Sequence, residues 1–261
     1  MHKEPGTTWM RFWQTRSIQE VFSTAWSFFW MQFAGLSYTG RLATWLATWF
    51  APPYKARRHL ARYNSKGYIA PNAKIYHPHL RLDTNVFIGD RVIIFQAENG
   101  GAVELGDRVH IHQDTCIETG DGGSVKIAAK THIQPRCQFS AYKGSIEIGR
   151  GVQIAPNCAF YPYNHGIAPD APIQQQQLQT KGKIAIEDDA WLGCGVIVLD
   201  GVRIGKGAVI GAGAVVNSDV PDGAIATGVP ARVVNTRSNL APPRSQSETG
   251  NERLSLEGVS S

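Results

Sequence analysis

His165 is the residue of this sequence best placed to move a proton. It lies in the run Tyr161-Pro-Tyr-Asn164-His165-Gly166, inside a stretch between Phe160 and Ile186 that interrupts an otherwise regular repeat by twenty residues. Imidazole titrates near neutrality, which suits a general base. An excursion of that length from a regular framework is usually either functional or disordered. A second set of chemically capable residues is His110, His112 and His132. Three convergent imidazoles bind zinc. However, His110 and His112 flank Ile111, so both are expected to face outward as ordinary surface or interface residues. The cysteines are Cys116, Cys137, Cys158 and Cys194, with no CxxC pair, and no signal peptide is evident. They are expected to be reduced thiols in a cytosolic protein. Cys137 and Cys158 are spaced to stack in neighbouring turns as small buried side chains.

The framework that must hold these residues is a six-residue repeat. Val202-Arg-Ile204-Gly-Lys-Gly is followed by Ala208-Val-Ile210-Gly-Ala-Gly, and a large aliphatic recurs every six residues. Stepping back gives Val198, Leu192 and Ile186, then Phe160, Ile154 and Ile148, then Phe139, Ile133 and Ile127. Ile117, Ile111 and Leu105 precede these, then Ile94, Ile88 and Leu82, and Ile75 and Ile69 begin the series. Extra residues fall after Ile94, Ile117, Phe139 and Phe160, with three hexads between successive interruptions. Three hexads make one coil of a triangular prism, so every insertion is expected to leave the same corner. The recurrent aliphatic points inward and stacks on its equivalent in the next coil, while neighbouring coils pair through their backbones. Glycine after the inward residue relieves a corner that a Cβ would crowd.

Composition divides the chain near residue 65. Residues 1–66 hold nine Lys/Arg against two Asp/Glu, and the remainder holds 17 against 19. A nucleic-acid binder would carry its basic residues on the folded face, so no nucleic-acid partner is expected. Six of seven tryptophans (Trp9, Trp13, Trp26, Trp30, Trp45, Trp49) fall in the first 50 residues, paired at helical i,i+4 spacing. Val21 to Gly40 is uncharged, yet too rich in Ser, Thr, Gln and Gly to span a bilayer comfortably. Aromatic helices followed by Lys55, Arg57, Arg58, Arg62 and Lys66 suit either a membrane-surface anchor or packing on the prism or a neighbouring subunit. From about Asn235 the tail is rich in Ser, Pro, Arg and Glu and is expected to be disordered.

The segment from about Ile146 to Val234 resembles the hexapeptide-repeat acetyltransferases, and among them the maltose, galactoside and colanic-acid O-acetyltransferases. The resemblance rests on the Asn164-His165-Gly166 loop, the Trp191-Leu-Gly193 hexad and the close Gly228-Val-Pro-Ala-Arg232-Val-Val. It implies an all-β fold: a left-handed parallel β-helix, with an N-terminal aromatic-rich helical arm and a disordered tail appended. The expected divisions are 1–66 for the arm, 67–234 for the β-helix domain and 235–261 for the tail.

The resemblance further implies acetyl-CoA as acyl donor, no metal, and a homotrimer with active sites between adjacent prisms. His165 matches the catalytic base, which takes the proton of a substrate hydroxyl as its oxygen attacks the thioester. The oxyanion would then be met by backbone N–H groups of a neighbouring coil. Trp191, Gly193, Cys194, Ala212 and Asn217 match positions lining the CoA channel. Arg232 matches a basic residue that meets the CoA phosphates, as a guanidinium can. Trp191 also borders the acceptor, as do Asn164 and Gln134. Gln134 stands where the maltose and galactoside enzymes carry Asn, and this departure leaves the sugar open. The implied function is O-acetylation of a sugar or glycan in surface polysaccharide or glycolipid synthesis. The expected location is the cytoplasm, peripheral at the inner face of the membrane through residues 1–66. N-acetylation of an amino sugar or antibiotic is the main alternative. A zinc protein like the γ-class carbonic anhydrases, using His110, His112 and His132, and a non-catalytic scaffold are more distant ones.

Overall fold

The structure, a computed structural model, describes residues 18–239. Trp9, Trp13 and the tail from 240 onward lie outside these residues. The hexads wind into a parallel β-solenoid with three sheets of nine, seven and six strands, here faces A, B and C. One coil passes from His132–Ile133 on face A to Gln138–Tyr142 on face B and Ile146–Ile148 on face C. Neighbouring coils pair in parallel register, as in Ile111, Ile133, Ile154 and Leu192 along face A.

The inward ladder follows the hexad reading. Ile94, Ile117, Phe139, Phe160, Val198 and Val216 are all fully buried on face B. Phe139 and Phe160 stack in adjacent coils, with centroids 4.5 Å apart and planes 15° apart. All four insertions leave the corner between faces B and C. Cys137 and Cys158 are buried free thiols in adjacent coils, each bonded to backbone carbonyls.

The glycine that follows an inward residue is required by close approach of the next coil. A Cβ at Gly193 would lie 2.6 Å from the Ala212 backbone nitrogen, and one at Gly149 would lie 2.5 Å from that of Asp188. At the A–B and C–A corners the left-handed residue mostly comes two positions later. Lys130 (φ 63°) and Gly195 (φ 71°) occupy it in their coils.

The arm closes the first-coil end of the prism. Helix α1 (Ile18–Met31) and helix α2 (Tyr38–Ala47) lead to a 3-10 helix, Tyr54–Arg62. Trp26 Nε1 donates to the Leu46 carbonyl (2.7 Å) and Ser27 Oγ to that of Ala47 (2.8 Å), which joins the two α-helices. Arg41 donates to the Pro71 and Ala73 carbonyls. Met31, Ala34, Ala47, Leu60 and Ala61 belong to the same buried cluster as the coils. An open solenoid end would leave such a core wet, so the arm caps it. Its outer side is aromatic: Phe22, Phe29, Phe33, Trp45 and Trp49 are exposed. Among the described residues, no helix is long and apolar enough to cross a membrane.

The arm also corrects the expectation for two histidines. His110 and His112 do face away from the prism axis, but they are buried, at 9% and 0% exposure. Residues of the 3-10 helix lie over them, with Lys55, Arg58, His59 and Arg62 sharing a cleft with His110. At the other end, Arg232–Thr236 folds back antiparallel on Ala224–Thr227. Arg237 then bonds Asp189 (3.3 Å) and the Gly207 carbonyl (3.0 Å), so the folded chain runs through residue 239.

Candidate active site

The His165 loop begins after the strand Ala159–Tyr161 and returns at Ile184–Ile186. It is braced from within and by the coil above. Asn164 and Gln179 exchange backbone hydrogen bonds of 2.8 Å, and Thr180 Oγ1 donates to the Pro162 carbonyl (2.7 Å). The Gln176 side chain clamps Ala168 and Ala171, through 2.8 Å bonds to both the N–H and carbonyl of Ala168. The polar run Gln174–Gln177 is therefore an ordered brace.

Asp200, in the next coil, holds both ends of the loop. Its carboxylate accepts from Asn164 Nδ2 at 2.6 Å and from the Lys181 backbone N–H at 3.0 Å, and it is 5% exposed. Nothing in the hexad pattern marks Asp200. The available signal was an acidic residue in the turn one coil above the insertion. Between these anchors His165 is exposed, with no hydrogen-bond partner among the described residues. Asp200→Ala strands two donors at a cost of about 1–3 kcal/mol. It should make the loop more sensitive to limited proteolysis and lower kcat more than it raises KM. Unchanged cleavage of the loop would remove this role for Asp200.

The other candidates fall into two groups. Trp191 is exposed on face A, and Gly193, Cys194 and Ala212 lie on the adjoining A–B corner, where Gly193 sits against the Ala212 backbone. Asn157 Nδ2 donates to Cys194 Sγ at 3.6 Å. Gln134 is half-buried on the same corner. It lies two coils below Gly193, about 10 Å at the usual strand spacing. Arg232 opens the last strand of face A and is exposed, with its guanidinium bonded to the Ala231 carbonyl (2.8 Å). Asn164, His165 and Asn217 belong to the B–C corner, which is opposite face A in a triangular section. Within one chain, His165 and Trp191 therefore stand on different sides of the prism. The Asn164 amide, read from sequence as an acceptor contact, is turned to Asp200.

Two of the three histidines, His110 and His132, lie together on face A but do not converge on a point. His110 and His132 stack with centroids 4.5 Å apart and planes 12° apart. Parallel rings do not aim their nitrogens at one point, and no group able to hold a metal occurs among the described residues. Burial pushes His110 down to about 4, with His132, Arg58 and Arg62 adding to the effect. Burial, then Lys55, Arg58, His110 and His132, push His112 down to about 3. Both are neutral in the folded protein at neutral pH, whereas unfolded histidine gains a proton near 6.5. The unfolded state thus binds more protons between about pH 6.5 and 4. Stability is complete above this window and is lost as pH falls through it. The urea midpoint should drop between about pH 7 and pH 5, and His112→Leu should flatten the drop. An equal drop in the variant would assign the effect elsewhere.

Residues 183–218 match the family model of the bacterial transferase hexapeptide (six repeats). These coils are similar to the hexapeptide repeats of bacterial transferases. The chain is 49% identical over 69 residues to the galactoside O-acetyltransferase of Lactococcus lactis subsp. lactis (strain IL1403), a match covering 26% of this chain and 32% of that protein. It is 47% identical over 57 residues to a 2,3,4,5-tetrahydropyridine-2,6-dicarboxylate N-acetyltransferase of Staphylococcus aureus (strain JH9), covering 22% of this chain and 24% of that one. Among solved structures, the solenoid is similar to a variant of AntD, an N-acyltransferase from Bacillus cereus, in complex with dTDP-4-amino-4,6-dideoxyglucose and coenzyme A. That likeness has a TM-score of 0.51 at 25% identity and covers 60% of this chain and 82% of AntD. The hexapeptide coils of the family match include Trp191, Gly193, Cys194, Ala212 and Asn217, and begin two residues after Lys181 ends the His165 loop.

Proposed function

We propose that this protein is an acetyl-CoA-dependent O-acetyltransferase that acetylates a sugar hydroxyl in surface polysaccharide or glycolipid synthesis, acting as a homotrimer. The observation that carries this reading is His165, an exposed, unbonded imidazole on a loop braced by Asp200, directly ahead of the hexapeptide transferase coils. In the reaction, the imidazole accepts the hydroxyl proton as the sugar oxygen bonds to the thioester carbonyl carbon. The tetrahedral intermediate then collapses with cleavage of the carbon–sulfur bond. The departing thiolate recovers the proton from the imidazolium, leaving CoA thiol and the acetyl ester. No enzyme nucleophile is required, and Cys194 has a lining role only. Trp191, Gly193, Cys194, Ala212, Asn217 and Arg232 are assigned to acetyl-CoA, and Gln134 and Trp191 to the acceptor. Asn164 serves to position the loop.

The separation of these groups supports a site shared between copies, as a trimer would provide. His165 and Trp191 can share one site only if the loop of one copy meets face A of another. Face B supports such contact, because Ile93, Ala159, Ile197, Leu199 and Val215 point outward there and are only half-buried. Face C instead carries exposed ion pairs between coils, such as Arg81–Glu104 and Lys183–Glu147. A head-to-tail contact that closes after three copies would cover face B.

The exposed aromatics of the arm support a peripheral seat at the inner face of the membrane, since such side chains favour the interface. Deleting the arm would open the core, so Trp45→Ser with Trp49→Ser is the cleaner test by vesicle flotation.

Thioester consumption with acetyl-CoA against neutral sugars, amino sugars and diphosphate-linked sugars tests the whole reading, with sedimentation of the same sample for the trimer. Acetyl ester formation is expected. Transfer only to amines would favour N-acetylation, the second reading, which draws support from the two N-acyltransferase likenesses. No thioester consumption with any acceptor would end both.

A further inference from the structure

Where the 3-10 helix Tyr54–Arg62 lies over face A, it leaves a cleft of about 520 Å³. Lys55, Arg58, Arg62, Arg108 and Lys130 line it, and no carboxylate is among the lining residues. Arg108 is paired with neighbouring Asp107 at 2.6 Å. Lys130 makes no salt bridge within 4 Å but acts on the same Asp107 carboxylate. Lys55, Arg58 and Arg62 have no ion-pair partner among the described residues; Arg58 Nε donates only to the Lys55 carbonyl. The stacked rings of His110 and His132 also line the cleft, and His110 Nδ1 is buried without a hydrogen-bond partner. Three uncompensated cations, with Lys130 sharing the Asp107 carboxylate with Arg108, around a buried, unsatisfied imidazole are an unfavourable arrangement for an empty cleft. A multiply charged anion would satisfy both.

The position of the cleft says which anion. His132 is followed by Ile133 and then Gln134, the proposed acceptor contact. Along face A the order is His110, His132, Gln153, Trp191, Val209. The loop bearing His165 leaves the coil of Gln153. The cleft is thus on one side of the level of the loop, and the proposed CoA residues are on the other. We propose that this cleft binds the phosphate or diphosphate group of a phosphate-linked sugar acceptor. The inference rests on the transferase reading and extends it to the class of acceptor: a sugar held through its phosphate, with the arm as a specificity element of the site. Guanidinium and ammonium groups at this density exceed what a single carboxylate would need, and Arg presents paired donors to phosphate oxygens.

Calorimetric titration of inorganic pyrophosphate into the full chain tests the cleft without any transfer chemistry. Binding should weaken as salt rises, and Arg62→Gln with Lys130→Gln should weaken it about tenfold or more. Both residues are exposed, and Arg62→Lys with Lys130→Arg should retain binding if the neutral pair folds poorly. Acetyl-CoA affinity should be the same with and without saturating pyrophosphate. Absence of pyrophosphate binding, or equal binding by the neutral pair, would overturn the proposal. Competition with acetyl-CoA would give the cleft to the cofactor's phosphates instead. Attachment to phosphatidylglycerol vesicles through Arg62 and Lys130 without pyrophosphate binding would give it to lipid headgroups. Pyrophosphate binding in a chain that consumes no thioester would keep the anion site and end the transferase reading. Transfer to neutral sugars without pyrophosphate binding would do the reverse.

Discussion

Replacing His165 with alanine should lower kcat/KM for acetyl transfer by about 10²–10⁴-fold, the usual worth of a positioned general base. The loss should come in kcat, because in the proposed reaction the imidazole acts on the proton that leaves during attack and is not assigned to holding CoA. The fold should be unaffected. The ring is exposed and unbonded, and a substitution of that kind usually changes stability by less than about 0.5 kcal/mol. The loop keeps its own braces, since Asn164, Gln176, Gln179 and Thr180 are untouched. Three measurements together decide the matter: steady-state thioester consumption, calorimetric affinity for acetyl-CoA and the melting temperature. Turnover within a few-fold of the parent would eliminate His165 as the base. A lost melting transition would instead make it structural, contrary to its exposure.

Phe160→Ala should have the largest effect on stability. Phe160 is fully buried, stacked on Phe139 in the coil below and paired in register with Val198 above. Its removal leaves a void that a solenoid cannot close, because the backbone spacing of its coils is set by their hydrogen bonds. A loss of about 3–5 kcal/mol is expected. Each coil contacts mainly its neighbours, so the damage should centre on the coils around residue 160. Tyr161 and Pro162, which launch the His165 loop, follow directly. Hydrogen exchange should therefore rise first in this region, and acetyl transfer should fall even where the protein remains folded. Phe160→Leu should recover part of the loss. A change in unfolding free energy below about 1 kcal/mol would mean that the stack is not tightly packed.

The two variants probe parts of the molecule that differed in legibility. Phe160 could be assigned to the interior from spacing alone, because its neighbours at six-residue intervals are Ile154 and the residues of the coil before. The positions of the insertions were equally readable, and all four do leave the B–C corner. His165 could be picked out because it breaks the same pattern. What braces it could not. Asp200 reaches the loop from one coil further on, and its partners Asn164 and Lys181 are 36 and 19 residues away. Crowding explains the glycines, but it comes from the next coil, as at Gly193 against Ala212.

Residues 1–66 set the limit. Their aromatic and basic character was plain, but two placements were open, at a membrane surface or against the prism. Packing is observed on one side, through Met31, Ala47 and Leu60, while the other side leaves Phe29, Trp45 and Trp49 exposed. The sequence predicts His110 and His112 as surface residues, because an alternating pattern reports only which way a side chain leaves its own strand. It cannot report what another part of the chain lays over that side.

The period of six, the prism and the corner carrying His165 are thus properties of the chain as written, because they follow from short-range alternation repeated coil after coil. The covering of His110 and His112 by the 3-10 helix and the anchoring of the loop on Asp200 are decided in three dimensions. Each depends on contacts or distances between residues far apart in sequence, for which a local repeat carries no signal.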